Sequence, residues 1–174
     1  QATIGLSQQA FKLAQDEKDR ADDTMVKDLY SKAVMAKNRA MYDKDTGAMN
    51  RRGKDAFGVV DEYGESFDKE LLEIEKEAKN DAQRELFNGI KSKLKLELSE
   101  NLQKHTFVES EKYEDEVNDS ALAAAREDGL MNYQNPGKIA ESINMQKSII
   151  MSHAGRKGLS DEWVQNKLKE ASSK

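Results

Sequence analysis

The residues best suited to ligand binding lie between Gly47 and Gly58, in the sequence GAMNRRGKDAFG, where glycines and basic side chains are concentrated. A phosphate-binding loop has the pattern G-x-x-x-x-G-K-[ST], in which backbone amides and lysine surround the phosphate and the hydroxyl group binds magnesium. Here five residues separate Gly47 from Gly53, an aspartate follows Lys54, and the preceding sequence is helical in pattern. We therefore do not expect this segment to bind a nucleotide.

A calcium loop is the second kind of site that this region suggests, because the preceding DKDTG sequence offers carboxylates at Asp43 and Asp45. An EF-hand loop that began at Asp43 would need glycine at its sixth position and glutamate at its twelfth. Those positions hold Ala48 and Lys54. The sequence instead predicts a turn in which aspartate side chains accept hydrogen bonds from nearby amides.

Nucleic-acid binding is the third chemistry to weigh, because Arg51, Arg52 and Lys54 could contact phosphates. The whole chain, however, has a net charge of −5. We favour the interpretation that the arginines pair with carboxylates on neighbouring helices, and keep weak nucleic-acid binding as the alternative. We call residues 47–60 the corner and expect Phe57 and Val59 to be buried there. Its assigned structural residues are Asn50, Arg51, Arg52, Gly53, Lys54, Phe57 and Gly58.

Residues that would indicate catalysis are sparse. The chain has no cysteine and two histidines, His105 and His153, which lie far apart without an H-E-x-x-H context. It also has no G-x-S-x-G sequence. His105 continues an apolar pattern at a step of three, which is typical of a residue on a helix face. We predict no catalytic residue, no metal site and no cofactor, and hence a protein that is not an enzyme.

The elements that position these residues are predicted to be helices. Apolar residues recur at steps of three and four, without strand alternation, and no apolar run reaches membrane-spanning length. The fold class is therefore all-α, an elongated bundle of about four to six helices with one long helix around 81–128. Its narrow apolar stripes favour self-association and coiled-coil packing. The stripes are Met25, Leu29, Ala33, Ala36 and Ala40; Tyr63, Phe67, Leu71, Ile74 and Ala78; and Ala82, Leu86, Ile90, Leu94, Leu98 and Leu102.

Three local signals refine this helical pattern. We expect the first helix, which covers the first 42 residues, to break near residues 20–23. Between Glu109 and Asp119 there are six acidic residues and one lysine, for which a solvated helix face is favoured over a cation or basic-partner site. From Lys138 to Lys174 the chain has seven basic and four acidic residues. This asymmetry could support head-to-tail or antiparallel contacts.

The C-terminal part is predicted to begin at the NPGK sequence, with Asn135 as the helix cap and Pro136 at the first helical position. We therefore divide the chain into a helical domain, residues 1–134, and a C-terminal helical hairpin, residues 135–174, that packs on it or extends from it. Trp163 is most simply a core anchor. The alternative is a surface that contacts a protein partner, and its candidate residues are Trp163, Ile139, Ile143 and Ile150.

The corner also resembles a known family. MNRRGKDAFGVV, from Met49 to Val60, is followed by the Phe67 helix and then by QRELF, residues 83–87. This order is similar to a helical region of large virion-associated proteins of tailed bacteriophages and prophages, in which a leucine stands where this chain has Met49. Those tail or internal proteins sometimes carry a separate lysozyme-like or transglycosylase domain. The resemblance extends roughly from Met25 to Leu102.

This resemblance implies a structural segment of a phage particle, in the tail or in the internal ejection apparatus. It implies no catalytic residue, because a wall-cleaving domain would lie outside such a segment. The expected partners are further copies of the chain or other virion proteins. The expected location is the virion, or the host cytoplasm before assembly. The alternative function is a helical adaptor that binds a protein partner.

Overall fold

A computed structural model describes residues 2–172, with side chains from residue 8 onward. The fold is all-α, as the sequence predicts, and no strand occurs among the described residues. None of the described helices combines the length and the apolar character that crossing a membrane would require. The helices are α1 (Ala2–Tyr42), α2 (Val59–Glu75), α3 (Asp81–Met131), α4 (Pro136–Lys157) and α5 (Asp161–Ser172).

The chain divides into two compact units at a point within α3. The first unit ends at Ser110 and the second begins at Glu111. The second unit thus contains α4, α5 and the C-terminal part of α3. That residues 1–134 fold as one domain stays a prediction.

The first unit has a core made by α1, α2 and the N-terminal part of α3. Its buried side chains follow the predicted stripes of α1 and α2 closely. Each large apolar side chain that is fully buried contributes about 1.5–3 kcal/mol. The buried residues are Leu29, Ala33, Ala36, Met41, Ala48, Val59, Phe67, Leu71, Ile74, Ala78, Phe87, Leu94, Leu98 and Leu102.

The predicted stripe of α3 is wrong in its first turns. Ala82 is exposed and Leu86 is 56% exposed, whereas Gln83 and Phe87 occupy the buried positions. Phe87 lies seven residues before Leu94 on the same helix face. Gln83 can be buried because its amide oxygen accepts a hydrogen bond from the Lys79 backbone N–H at 2.7 Å. Its amide nitrogen donates to Asp22 Oδ1 of α1, also at 2.7 Å.

The break expected in the first helix near residues 20–23 does not occur, because α1 is continuous from Ala2 to Tyr42. Asp22 accepts hydrogen bonds from the side-chain amides of Asn80 and Gln83 at 2.8 and 2.7 Å. These bonds lower the pKa of Asp22. Asp22, which lies where the break was expected, thus joins the middle of α1 to the start of α3.

The second unit has a smaller core. Ile150, Ala154 and Val164 are buried there, and half-buried Leu122, Leu159, Trp163 and Leu168 pack against them. The start of α4 confirms the predicted cap, since Asn135 Oδ1 accepts hydrogen bonds from the backbone N–H groups of Gly137 and Lys138 at 3.1 and 3.2 Å. The helix ends at Lys157, and Gly158 caps it with a φ of 63°, which is in the left-handed region that glycine tolerates.

Candidate functional site

The corner begins with a turn built on Asp43. Its Oδ1 accepts hydrogen bonds from the Asp45 and Thr46 backbone N–H groups at 3.0 and 2.8 Å, and from the Thr46 hydroxyl at 2.8 Å. The bonds from Thr46, followed by the one from Asp45, lower the pKa of Asp43. The DKDTG sequence therefore forms the aspartate turn that was predicted for it.

Glycine is required at position 47, the last residue of DKDTG, because the chain folds back on itself there. A Cβ atom at Gly47 would lie 2.6 Å from the backbone N and O of Asp43 and 2.8 Å from the carbonyl oxygen of Met41. The Asn50 side chain closes the same turn by donating to the carbonyl oxygens of Asp43 and Lys44 at 2.8 and 2.9 Å. The turn is thus fixed by backbone atoms on both sides.

A buried carboxylate on α3 then holds the corner in place. Glu109 is 3% exposed, and its Oε2 accepts a hydrogen bond from the Gly53 backbone N–H at 3.0 Å. Its Oε1 lies 3.3 Å from Arg52 Nη1. Gly53 has a φ of 53°, which favours glycine and turns its N–H towards the carboxylate. A hydrogen bond to a charged acceptor is stronger than a neutral one, so Glu109 is the main tie between the corner and α3.

Two further hydrogen bonds connect the corner with α3. The Arg51 carbonyl oxygen lies 2.8 Å from His105 Nε2. Because a carbonyl can only accept, Nε2 must carry the proton and donate it. At the next residue of α3, the Thr106 hydroxyl donates to the Ala56 carbonyl oxygen at 3.2 Å. His105 therefore holds the corner backbone from a helix face.

A groove of about 680 Å³ lies beside the corner, between α1 and α2. Its arginines are already paired: Arg39 with Glu70, and Arg51 with Glu62 at 3.4 Å. A hydrogen bond with Tyr63 and the charge of Glu62 raise the pKa of Arg51. The groove therefore offers carboxylates and guanidinium groups that largely neutralise one another.

The structure places the predicted corner residues in different environments. Val59 is buried, as expected, but Phe57 is 49% exposed, so the expectation that it is buried is wrong. Phe57 ends the short turn that precedes α2, and there the chain turns its ring outward while Val59 enters the core. Lys54 is exposed and makes no ion pair with any described residue. Gly58 stands immediately before α2.

The sequence favoured a solvated face for the acidic run on α3, and this expectation is wrong in part. Glu109 is buried, and other carboxylates of the run pair with basic residues of α4 in the second unit. Lys157 Nζ lies 2.7 Å from Glu111 and 2.9 Å from Asp115, and Arg156 pairs with Glu114. The order of these contacts is antiparallel, so the predicted attraction between acidic and basic segments acts within one chain.

The C-terminal candidates for partner contact are also divided. Ile150 is 1% exposed and belongs to the core of the second unit, and Trp163 is half-buried against the His153 ring at a centroid distance of 5.7 Å. Ile139 and Ile143 are half-buried and line a cavity. Trp163 is thus placed as a core anchor for α5, and whether any of these residues contacts a partner stays a prediction.

One exposed apolar surface was missed in the sequence, and it lies on α1. Residues 8–21 are all exposed. Phe11, Ala14 and Ala21 continue at helical spacing the stripe of half-buried Met25 and buried Leu29. We call Phe11, Ala14 and Ala21 the α1 stripe. Phe11 is 74% exposed. The periodicity was detectable from sequence, but Lys18 interrupts it and hid its continuation.

No cluster of three or more metal-ligating side chains occurs within the described part of the chain. The chain matches no protein-family model, no curated protein and no solved structure.

Proposed function

We propose that this chain is a non-enzymatic structural segment of a virion protein of a tailed phage or prophage. It works by helix-mediated assembly, as part of the tail or of the internal ejection apparatus. Its partners are further copies of itself or other virion proteins. It is located in the particle, or in the host cytoplasm before assembly.

The observation that best supports assembly is the α1 stripe. The same helix face that packs into the core from Met25 to Met41 continues towards the N-terminus as Phe11, Ala14 and Ala21, and there no described residue covers it. A helical segment without tertiary packing is only marginally stable in water. A partner helix that covers this stripe would bury Phe11 and stabilise the segment.

The virion assignment is supported by the family resemblance of the corner. The residues that carry this resemblance, from Met49 to Val60, form a folded turn tied to α3 by Glu109 and His105. Such a corner orients α2 relative to α1 and α3 within the first unit. This is a structural role, which agrees with the non-catalytic segment that the resemblance implies.

The competing functions receive less support from these contacts. Phosphates would have to compete with Glu62 for Arg51 and with Glu109 for Arg52, which disfavours nucleic-acid binding. An adaptor that used the isoleucine face would lose Ile150, because this residue is buried in the core.

The test is incorporation into particles. A tagged chain would be expressed in a lysogen whose prophage carries its gene, and particles would be purified on a density gradient after induction. We expect the wild-type chain to co-sediment with particles and Phe11→Ser to remain in the soluble fraction.

Leu13→Ser is the matched control, because Leu13 is 64% exposed but lies about 200° around the helix from Phe11. It should still enter particles. Absence of the wild-type chain from particles would contradict the virion assignment. Equal incorporation of both variants would contradict assembly through the α1 stripe.

A further inference from the structure

Two adjoining cavities lie in the second unit, where α3, α4 and α5 meet. Their volumes are about 310 and 230 Å³. Arg126 of α3, Gln146 of α4 and Ala171 of α5 line both of them. The larger cavity is close to the lower limit of known small-molecule sites.

Gln146 presents an unused hydrogen-bond acceptor there. It is 3% exposed, and its Nε2 donates to Ser142 Oγ at 3.3 Å. The Ser142 hydroxyl in turn donates to the Ala125 carbonyl oxygen, so Oγ is available to accept from an N–H group. This chain of donors fixes the orientation of the amide and leaves Gln146 Oε1 buried without a partner. A buried acceptor without a partner destabilises the folded protein, so a donor that reaches it would be stabilising.

Arg126, which lines the same two cavities, has an unused donor. Its Nε atom is buried and has no hydrogen-bond partner among the described residues. Its guanidinium group makes no ion pair with any of them either, in contrast to Arg156 and Lys157 of the same unit. A guanidinium group in such a position is suited to a carboxylate.

The remaining surface of the larger cavity is mainly apolar and belongs to Leu130, Tyr133, Ile139 and Ile143. Gly129 allows α3 and α4 to approach closely here, since a Cβ atom would lie 2.6 Å from Ser142 Oγ. The smaller cavity is more polar and carries the carboxylates of Asp119 and Glu170.

We propose that these cavities bind a free α-amino acid with an apolar side chain. The ligand carboxylate pairs with Arg126, and its ammonium group donates to Gln146 Oε1 on the side of Asp119. Its apolar side chain occupies the larger cavity, against Ile139 and Ile143. Such a ligand supplies an acceptor for Arg126, a donor for Gln146 Oε1 and an apolar group that fills the larger cavity.

Isothermal titration calorimetry of the whole chain with three probes tests the site. Leucine has all three features, leucinamide lacks the carboxylate, and 4-methylpentanoate lacks the ammonium group. We expect leucine to bind and the other two to bind at least about tenfold more weakly. No binding of leucine at about 20 mM would overturn the proposal, since the cavities would then hold only water. Equal affinity for the three probes would overturn it as well.

Variants locate the binding. We expect Gln146→Leu and Arg126→Met each to weaken leucine binding at least about tenfold, because each removes one polar contact. Arg84→Met, at an exposed arginine of the first unit, is the matched control and should bind as the wild type does. Ile143→Phe fills the larger cavity and should abolish binding, and thermal melts would verify that each variant is folded. Wild-type affinity in the folded cavity variants would contradict the proposed location.

Discussion

Glu109 and Glu111 stand two residues apart in the same acidic run of α3, yet the molecule uses them differently. Glu109, at the end of the first unit, is buried and accepts a hydrogen bond from a backbone N–H of the corner. Glu111, at the start of the second unit, is 39% exposed and pairs with the Lys157 side chain. A two-residue step rotates a side chain by about 200° around a helix, which separates the two environments.

The difference teaches that the two units are fixed by different kinds of contact. The corner of the first unit is held by backbone groups that have one partner each, so the loss of that partner leaves a buried polar group unsatisfied. The antiparallel contact of α3 with α4 uses partly exposed ion pairs, which contribute little individually and are screened by salt. Substitutions at four positions test this difference, and they are given in order from the largest expected loss of stability to the smallest.

Removal of the Glu109 carboxylate should have the largest effect. Glu109→Ala leaves the Gly53 N–H without its acceptor and should lower the free energy of unfolding by about 2–3 kcal/mol. Glu109→Gln keeps one carbonyl acceptor and should lose roughly half as much. Urea denaturation measures both. Glu116→Ala, at an exposed position of the same run, should stay within about 0.5 kcal/mol of the wild type. Equal losses of stability at Glu109 and Glu116 would refute the claim that the Glu109 carboxylate holds the corner on α3.

Filling the turn of the corner should come second. Gly47→Ala would force its Cβ atom against backbone atoms at 2.6 Å, which cannot move aside as a side chain can. We expect a loss of about 2 kcal/mol in thermal or urea denaturation. Gly64→Ala is the matched control, because nothing lies within 4 Å of its Cβ position inside α2. It should gain up to about 1 kcal/mol from helix propensity. A stable Gly47→Ala protein would contradict the described turn.

Lys157→Met should have a smaller effect, because it removes ion pairs while keeping most of the apolar stem. Hydrogen bonds with Glu111 and Asp115 raise the pKa of Lys157 above its ordinary value of 10.5. The stabilisation is therefore complete below pH 10.5 and is lost as the pH rises through the folded-state pKa. Thermal melts should show a modestly lower Tm for the variant at neutral pH and low salt. The two Tm values should converge at high salt and in strong alkali, and a constant gap would show that packing is responsible.

Asp43→Asn should show the smallest effect and the opposite dependence on pH. The pKa of Asp43 is lowered below 3.8, so its contribution is present above that value and is lost as the pH falls through the folded-state pKa. The variant should melt below the wild type at neutral pH, and the difference should shrink in acid. Tm measured along a pH series would detect it, and a difference that grows in acid would be the wrong sign.

Much of the fold could be predicted from periodicity. The buried faces of α1 and α2, the long third helix and the Asn135 cap follow from spacing and capping chemistry, which are local properties. The first turns of α3 could not be assigned in this way. Leu86 and Phe87 are adjacent apolar residues on different faces, and only packing against α1 and α2 decides which one is buried.

The candidate site was less predictable for the same reason. The glycines and aspartates of the corner signalled a turn, because their effect is local. Glu109 lies 56 residues from Gly53, and among so many glutamates nothing in the sequence distinguishes the buried one. The unused groups of Arg126 and Gln146 likewise become evident only when three helices meet around them.

Assembly through α1 is the central claim, and the molar mass of the purified chain in solution tests it most directly. We predict that light scattering coupled to size-exclusion chromatography gives a mass that rises with concentration to a multiple of 19.6 kDa. Phe11→Ser should return the mass to that of the monomer, and Leu13→Ser should not. A wild-type mass of 19.6 kDa at every concentration would contradict self-assembly through the α1 stripe.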